Sequence, residues 1–346
     1  MKKMKAAYIY GPYDLRLEEA EIPEPAADEV LLRVKAVGVC GSDIHFYLTG
    51  RSGAFTITEP FVMGHEFAGE IVEVGEDVKD FKKGDRVTVE PGVPCGSCFY
   101  CRIGRYNLCE NLKFYGAPPY DGGYREYAAV NHRVIFKLPP SLSFEEGALM
   151  EPLAVAVQAV KRSGLSAGDS VAVFGSGPIG LLILQAAREA GATLAIATDI
   201  LDYRLKLAES LGADHVVNVS REDAVKSIRE MTGGRGVDVV FEASGAPAAF
   251  KAAFEAVRSG GVIVQVGIFE HEEISFKPVF LTAKELDVKG VFRYANVFPA
   301  AISLASQGRV KLKPLITHIF SLEQIKEAFQ MIVEKRGNPV KVIIKP

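Results

Sequence analysis

The sequence has no dominant charge. Its 346 residues hold 40 lysines and arginines against 43 aspartates and glutamates, for a formal net charge of -3. Without a basic excess there is no electrostatic grip on nucleic acid or on an anionic membrane surface, so the expected ligand is a small molecule. Long apolar runs are missing too: none reaches the roughly 18 residues that a spanning helix needs. The apolar stretch at 6–10 is cut by Gly11, Pro12 and Asp14 and is too short for the core of a secretion signal. No internal repeat or low-complexity segment stands out. These absences lead to the expectation of a cytoplasmic, soluble protein with about two domains of ordinary size.

Cysteine is scarce and unevenly placed. Of five, Cys95, Cys98, Cys101 and Cys109 crowd into one short stretch, and Cys40 stands apart. An odd count in a chain of this size, with no secretion signal, argues for metal ligation over disulfides. Four thiolates on one loop, with Gly96 and Gly104 allowing its turns, suit a closed tetrahedral zinc site. Such a site leaves no position for water or substrate, so the zinc is expected to be structural. An iron–sulfur cluster is the rival reading of the same four ligands.

The chain changes character near its middle. From 8 to about 89, short β-branched runs (30–34, 70–74, 86–89) alternate with Gly, Pro and Asp turn signals, as in a β-rich barrel or sandwich. After Gly168 the rhythm becomes strand, helix, strand. Strands are expected at 170–175, 194–198, 215–218, 237–242 and 261–266, with helices at 178–190, 203–211 and 248–257. Strands separated by helices imply right-handed crossovers and a doubly wound parallel sheet, so the fold class is α/β. The boundaries expected are 1–152 for the β-rich domain, with the cysteine lobe at about 91–112, then 153–290 for the parallel sheet. The segment 291–346 breaks the rhythm and is expected to return to the first domain.

The parallel-sheet domain opens on Gly175-Ser176-Gly177-Pro178-Ile179-Gly180, where a strand gives way to a helix. Glycines there permit a tight turn and close approach of backbone to a pyrophosphate. Asp199 follows at the end of the next strand, where a carboxylate accepts hydrogen bonds from the adenosine ribose hydroxyls. Motif and carboxylate together indicate a bound dinucleotide; a plain strand-to-helix turn with a solvated aspartate is the bland alternative. Asp199 would repel a 2′-phosphate, so NAD is expected over NADP, although Arg204 is placed to serve the adenosine end of either.

A second set of metal-ligand types is dispersed. Cys40 lies in Val39-Cys40-Gly41-Ser42-Asp43-Ile44-His45, and His65 and Glu66 in Gly64-His65-Glu66-Phe67-Ala68-Gly69. Singly they are unremarkable, since a lone Cys or His is usually structural. Taken with the four-cysteine loop and the late glycine fingerprint, their order and spacing along nearly the whole chain resemble the zinc-containing medium-chain alcohol dehydrogenases. The likeness is nearest to the sorbitol (polyol) dehydrogenase branch, carried by residues 104–108, 145–152, 288–294 and 313–318.

That resemblance implies a GroES-like catalytic domain beside a Rossmann domain, with one catalytic zinc, one structural zinc, and NAD. It makes Cys40, His65 and Glu66 catalytic zinc ligands. Glu151 takes the place of a cysteine found in many relatives, binding zinc directly or through water. Ser42 and His45 become a proton relay, and Asp43 orients a metal-bound histidine. Val266, Gly267, Ile268, Val291, Phe292 and Arg293 become cofactor contacts. Phe46, Arg293 and Tyr294 fall at substrate positions, Phe46 replacing a tyrosine common in polyol dehydrogenases. The implied reaction is oxidation of a polyol or other secondary alcohol to a ketone by hydride transfer to nicotinamide, in a homotetramer. Threonine and 2,3-butanediol dehydrogenases share these motifs, and a non-catalytic dinucleotide-binding relative is the alternative of another class. His132, His215, His271 and His318 fall outside the motifs and are expected to be structural or solvated.

Overall fold

The computed structural model describes residues 2–269 and 273–346, which leaves His271 outside the described residues. The chain divides into two compact units. One comprises Met1–Glu151, Phe298–Ser306 and Leu312–Pro346; the other comprises Pro152–Val297 and Gln307–Lys311.

The first unit is built on a largely antiparallel sheet around the strand Glu29–Gly38. This strand pairs antiparallel with Glu66–Val74, Tyr127–Asn131 and Lys341–Lys345. Lys341–Lys345 in turn pairs in parallel with Ile316–Ser321, so carboxyl-terminal strands complete an amino-terminal sheet. Alternating residues Val30, Leu32 and Val34 are buried with Phe67, Ile71, Val87 and Phe329, as expected of a sheet with one face on the core.

The second unit is a six-stranded parallel sheet. Its spatial order is His215–Asn218, Leu194–Asp199, Ser170–Phe174, Val237–Glu242, Val257–Gln265, Asp287–Gly290. Strand order reverses on the two sides of Ser170–Phe174, which creates the crevice at the carboxyl ends where such sheets take ligands. The strand Ser170–Phe174 is buried along its whole length because helices cover both faces. Four elements escaped the sequence pattern: the helices Met150–Ser163, Ala224–Met231 and Val279–Ala283, and the edge strand Asp287–Gly290.

Residues 291–297 and 307–311 group with this second unit, not with the returning segment expected from 291 onward. Local bonds explain it. Val291 donates its N–H to the Gln265 carbonyl (2.9 Å), prolonging the sheet. Lys311 donates its N–H to Gln185 Oε1 (2.7 Å), and Arg309 pairs with Glu189 (2.6 Å).

Candidate metal centres and dinucleotide site

The dispersed ligand set converges within the first unit. Cys40 caps the helix Gly41–Thr49, Glu66 begins the strand Glu66–Val74, and His65 lies just before it. One ligand atom from each of Cys40, His65 and Glu66 falls within 4.8 Å of the others. Glu151, buried at the start of the helix Met150–Ser163, is not part of that cluster, although its charge acts on His65.

Asp43 fixes the geometry from behind. It is fully buried; its Oδ2 accepts the Cys40 N–H (2.9 Å) and the Tyr124 hydroxyl (2.9 Å), while Oδ1 lies 3.7 Å from His65 Nδ1. Burial alone would lower the His65 imidazole, but Cys40, Asp43 and Glu151 outweigh it and raise it to about 10. Burial likewise opposes the charge on Lys341, and Glu66, Cys40 and Glu151 reverse that effect. Lys341 is 3% exposed, and its Nζ donates to both Glu66 oxygens (2.8 and 2.7 Å) and to the Val39 carbonyl (3.0 Å). Acidic groups thus outnumber fixed cations in a desolvated space, and the donor set of thiol, imidazole and carboxylate fits a zinc ion.

The four-cysteine loop is equally well formed. The sulfurs of Cys95, Cys98, Cys101 and Cys109 lie within 4.8 Å of one another, and all five cysteines are free thiols. Cys98 and Cys101 are 3.5 Å apart and Cys95 and Cys101 4.0 Å. Tetrahedral ligation at a Zn–S distance of about 2.3 Å places sulfurs about 3.8 Å apart, so the loop fits zinc as it stands. Backbone N–H groups of Ser97 and Cys98 pull the Cys95 thiol down to about 6, and burial pushes Cys101 up to about 12.

In the second unit Gly177 caps the helix Pro178–Glu189 after the strand Ser170–Phe174. A Cβ at Gly180 would lie 1.8 Å from the Gly175 carbonyl oxygen, whereas one at Gly177 would meet only Arg204 Nη1 at 3.8 Å. The first glycine is needed for helix–turn packing; the second keeps open a space where a pyrophosphate fits against helical N–H groups. Asp199 Oδ2 accepts the Ser176 N–H (2.8 Å), Oδ1 accepts the Leu201 N–H (2.9 Å), and Arg204 Nη1 is 3.8 Å from Oδ2. This fits an adenosine ribose at the end of the second strand. Val266 and Gly267 donate their N–H groups to the Glu242 carbonyl, and Ile268 is 60% exposed beyond them.

The remaining expected positions are dispersed. Ser42 and His45 are half-buried on the helix capped by Cys40. Phe46, on the same helix, is 3% exposed and packs edge-on against Phe61 in the hydrophobic core. Arg293 adopts a positive φ of 54° with its guanidinium over the exposed Phe292 ring, and Tyr294 is buried in the same unit. Val291 continues the sheet edge as described. Sequence reasoning missed Lys341, Tyr124 and Glu90. Glu90 is buried and accepts a hydrogen bond from Tyr106 in the cysteine lobe (2.8 Å). No local pattern signals any of these three.

Family models match both parts of the chain: an alcohol dehydrogenase GroES-like domain over residues 26–140 and a zinc-binding dehydrogenase domain over 178–307. Sorbitol dehydrogenase of Bacillus subtilis (strain 168) is 42% identical over 345 residues, covering 100% of this chain and 98% of that protein. Among solved structures, 2R,3R-butanediol dehydrogenase from Bacillus subtilis superposes with a TM-score of 0.91 at 40% identity, covering 99% of both chains. A zinc-binding dehydrogenase from Sinorhizobium meliloti 1021 bound to NADP does so with a TM-score of 0.94 at 35% identity, covering 100% of both. Ligand clusters, glycine fingerprint and full-length likeness agree, and the chain belongs to the zinc-binding alcohol dehydrogenase family.

Proposed function

We propose that this chain oxidises a polyol, or another secondary alcohol, to the ketone with NAD as hydride acceptor. The observation that carries the reading is the cluster of half-buried Cys40 with buried His65 and Glu66 in a surplus of negative charge. When bound, zinc supplies Lewis acidity at the substrate hydroxyl and NAD accepts the hydride.

Cys40, His65 and Glu66 would hold the catalytic ion, and Asp43 would keep the His65 ring in its ligating orientation. Glu151, buried outside the tight cluster, would complete the set directly or through a water. Ser42 and His45 stand three residues apart on one helix, hence on one face, and would carry the hydroxyl proton outward. Cys95, Cys98, Cys101 and Cys109 would clamp their lobe around a second zinc. Gly175, Gly177, Pro178, Ile179 and Gly180 would receive the pyrophosphate, and Asp199 and Arg204 the adenosine end. Val266, Gly267, Ile268, Val291 and Phe292 would line the cofactor further along. Arg293 and Tyr294 would recognise the additional hydroxyls of a polyol.

The physical support for NAD is a carboxylate, Asp199, at the ribose position, which disfavours a 2′-phosphate. A vicinal diol such as butanediol is the second reading. It is favoured by Phe46, which by resemblance stands where polyol dehydrogenases often carry a tyrosine and so supplies no hydroxyl there.

A homotetramer is proposed from the resemblance. The edge strand Asp287–Gly290 offers support, since Val288 (43% exposed) leaves apolar surface at an open sheet edge that a second copy would cover. A cytoplasmic location is proposed because four free thiolates persist as metal ligands in a reducing compartment. No helix among the described residues is long and apolar enough to cross a membrane.

Steady-state rates with NAD on sorbitol, xylitol, butanediol and threonine, together with metal analysis, test the reading. Turnover of a polyol or diol with two zinc ions per chain is expected; no turnover of any of the four would overturn it.

A further inference from the structure

At the carboxyl edge of the parallel sheet lies an acidic side chain that the reaction scheme does not use. Glu242 ends the strand Val237–Glu242 and is fully buried. Its Oε1 accepts the N–H groups of Ser244 (2.9 Å) and Gly245 (3.0 Å) and the Ser244 hydroxyl; its Oε2 accepts Gln265 Nε2 (2.6 Å). Gln265 Nε2 donates also to the Gly267 carbonyl (2.8 Å), while Gln265 Oε1 is buried and unpartnered. The Glu242 backbone carbonyl takes the N–H groups of Val266 and Gly267. One residue therefore ties two loops together, 243–245 and 266–268. They meet so closely that a Cβ at Gly267 would fall 2.3 Å from the Gly245 nitrogen.

The topology says which part of a ligand these loops face. Asp199 stands on one side of the central strand Ser170–Phe174, and Glu242 and Gln265 stand on the other. A dinucleotide whose pyrophosphate lies at Gly175–Gly180 and whose adenosine lies at Asp199 must extend its other half toward Glu242. Ile268, exposed at the end of the tied loop, offers that half an apolar platform.

We propose that Glu242 is a positioning residue for the nicotinamide half of the dinucleotide, acting through Gln265 and the 266–268 backbone. The proposal rests on the dinucleotide reading above. Its alternative is a purely structural tie, which would affect all ligands of the unit alike. Replacing Glu242 by Gln turns one acceptor into a donor facing Gln265. The Gln265 amide can answer only by flipping, which strips the Gly267 carbonyl of its donor. Gln265→Met removes the same link while leaving Glu242 its backbone donors.

The test compares two probes, NADH and ADP-ribose, which lacks the nicotinamide. Dissociation constants are measured calorimetrically on wild type, Glu242→Gln and Gln265→Met, alongside thermal unfolding without ligand. The expected result is that both variants weaken NADH by about tenfold and leave ADP-ribose within about twofold. Equal weakening of the two probes, or no weakening of either, overturns the proposal. If Glu242→Gln does not fold, Gln265→Met decides the matter by the same comparison. Failure of wild type to bind ADP-ribose would instead overturn the dinucleotide reading, and this proposal with it.

Discussion

Lys341 Nζ bridges both carboxylate oxygens of Glu66, at 2.8 and 2.7 Å, across 275 residues of sequence, with both side chains buried. Glu66 would thereby serve two cations, the fixed ammonium and, on the proposed reading, a zinc ion shared with Cys40 and His65. The first is a permanent part of the fold, and the second arrives from solution.

Lys341→Met leaves Glu66 as a buried charge without its partner. In metal-free protein the expected cost is about 3–5 kcal/mol of folding stability. In zinc-loaded protein the ion compensates part of the charge, so the cost should be clearly smaller. Urea midpoints of both forms measure this; an equal loss with and without zinc would show that Glu66 does not face the ion.

Cys109 is the most buried of the four loop cysteines, 9% exposed, and its sulfur accepts the Cys95 N–H at 3.3 Å. Cys109→Ser should lower bound zinc from two ions per chain to one. Amide exchange should then quicken across 91–112 while the 170–174 strand stays protected. Retention of both ions would remove Cys109 from the structural site.

On the proposed reading Asp199 is the carboxylate that would reject a 2′-phosphate, and Arg204 Nη1 lies 3.8 Å from it. Asp199→Ala frees that guanidinium. The ratio of kcat/KM for NAD over NADP should fall at least about tenfold, equivalent to about 1.4 kcal/mol. An unchanged ratio would move cofactor choice to another residue.

Glu90 carries a pH dependence. Burial pushes its carboxyl up to about 7 from an ordinary value of 4.5; the Tyr106 hydrogen bond opposes this and the Glu151 charge adds to it. The folded state thus keeps a proton that the unfolded chain has already released. Stability should fall as pH rises from about 4.5 to 7 and level off above that, with a total contribution of up to about 3 kcal/mol. Glu90→Gln preserves an acceptor for Tyr106 and removes the titration. It should flatten this part of the stability–pH curve and be more stable than wild type at pH 8, as thermal unfolding across the range will report.

Legibility in the sequence followed locality. The glycine fingerprint, the strand before it and the helix after it occupy one continuous stretch, and the strands His215–Asn218 and Val237–Glu242 have the bounds that their apolar runs indicate. The cysteine lobe is equally local. The helix Gly41–Thr49 was hidden because its moment is weak and Asp43, Phe46 and Tyr47 are buried, so no polar face marks it. Lys341 could not be found at all: in Lys341-Val-Ile-Ile-Lys345 a lysine reads as a strand end in water, and only the pairing of that strand with Glu29–Gly38 carries it to Glu66.

The distance along the chain between Glu66 and Lys341 bears on biogenesis. A ribosome emits Glu66 early, then the whole of 152–297, and only afterwards the strand that neutralises it. Until then the nascent amino-terminal portion carries an unmatched carboxylate and a sheet wanting two strands, so it cannot mature while the parallel-sheet portion can already fold. Pairing of Glu66 with Lys341 is thus among the last contacts that the first unit can make, whatever the order in which the two units fold.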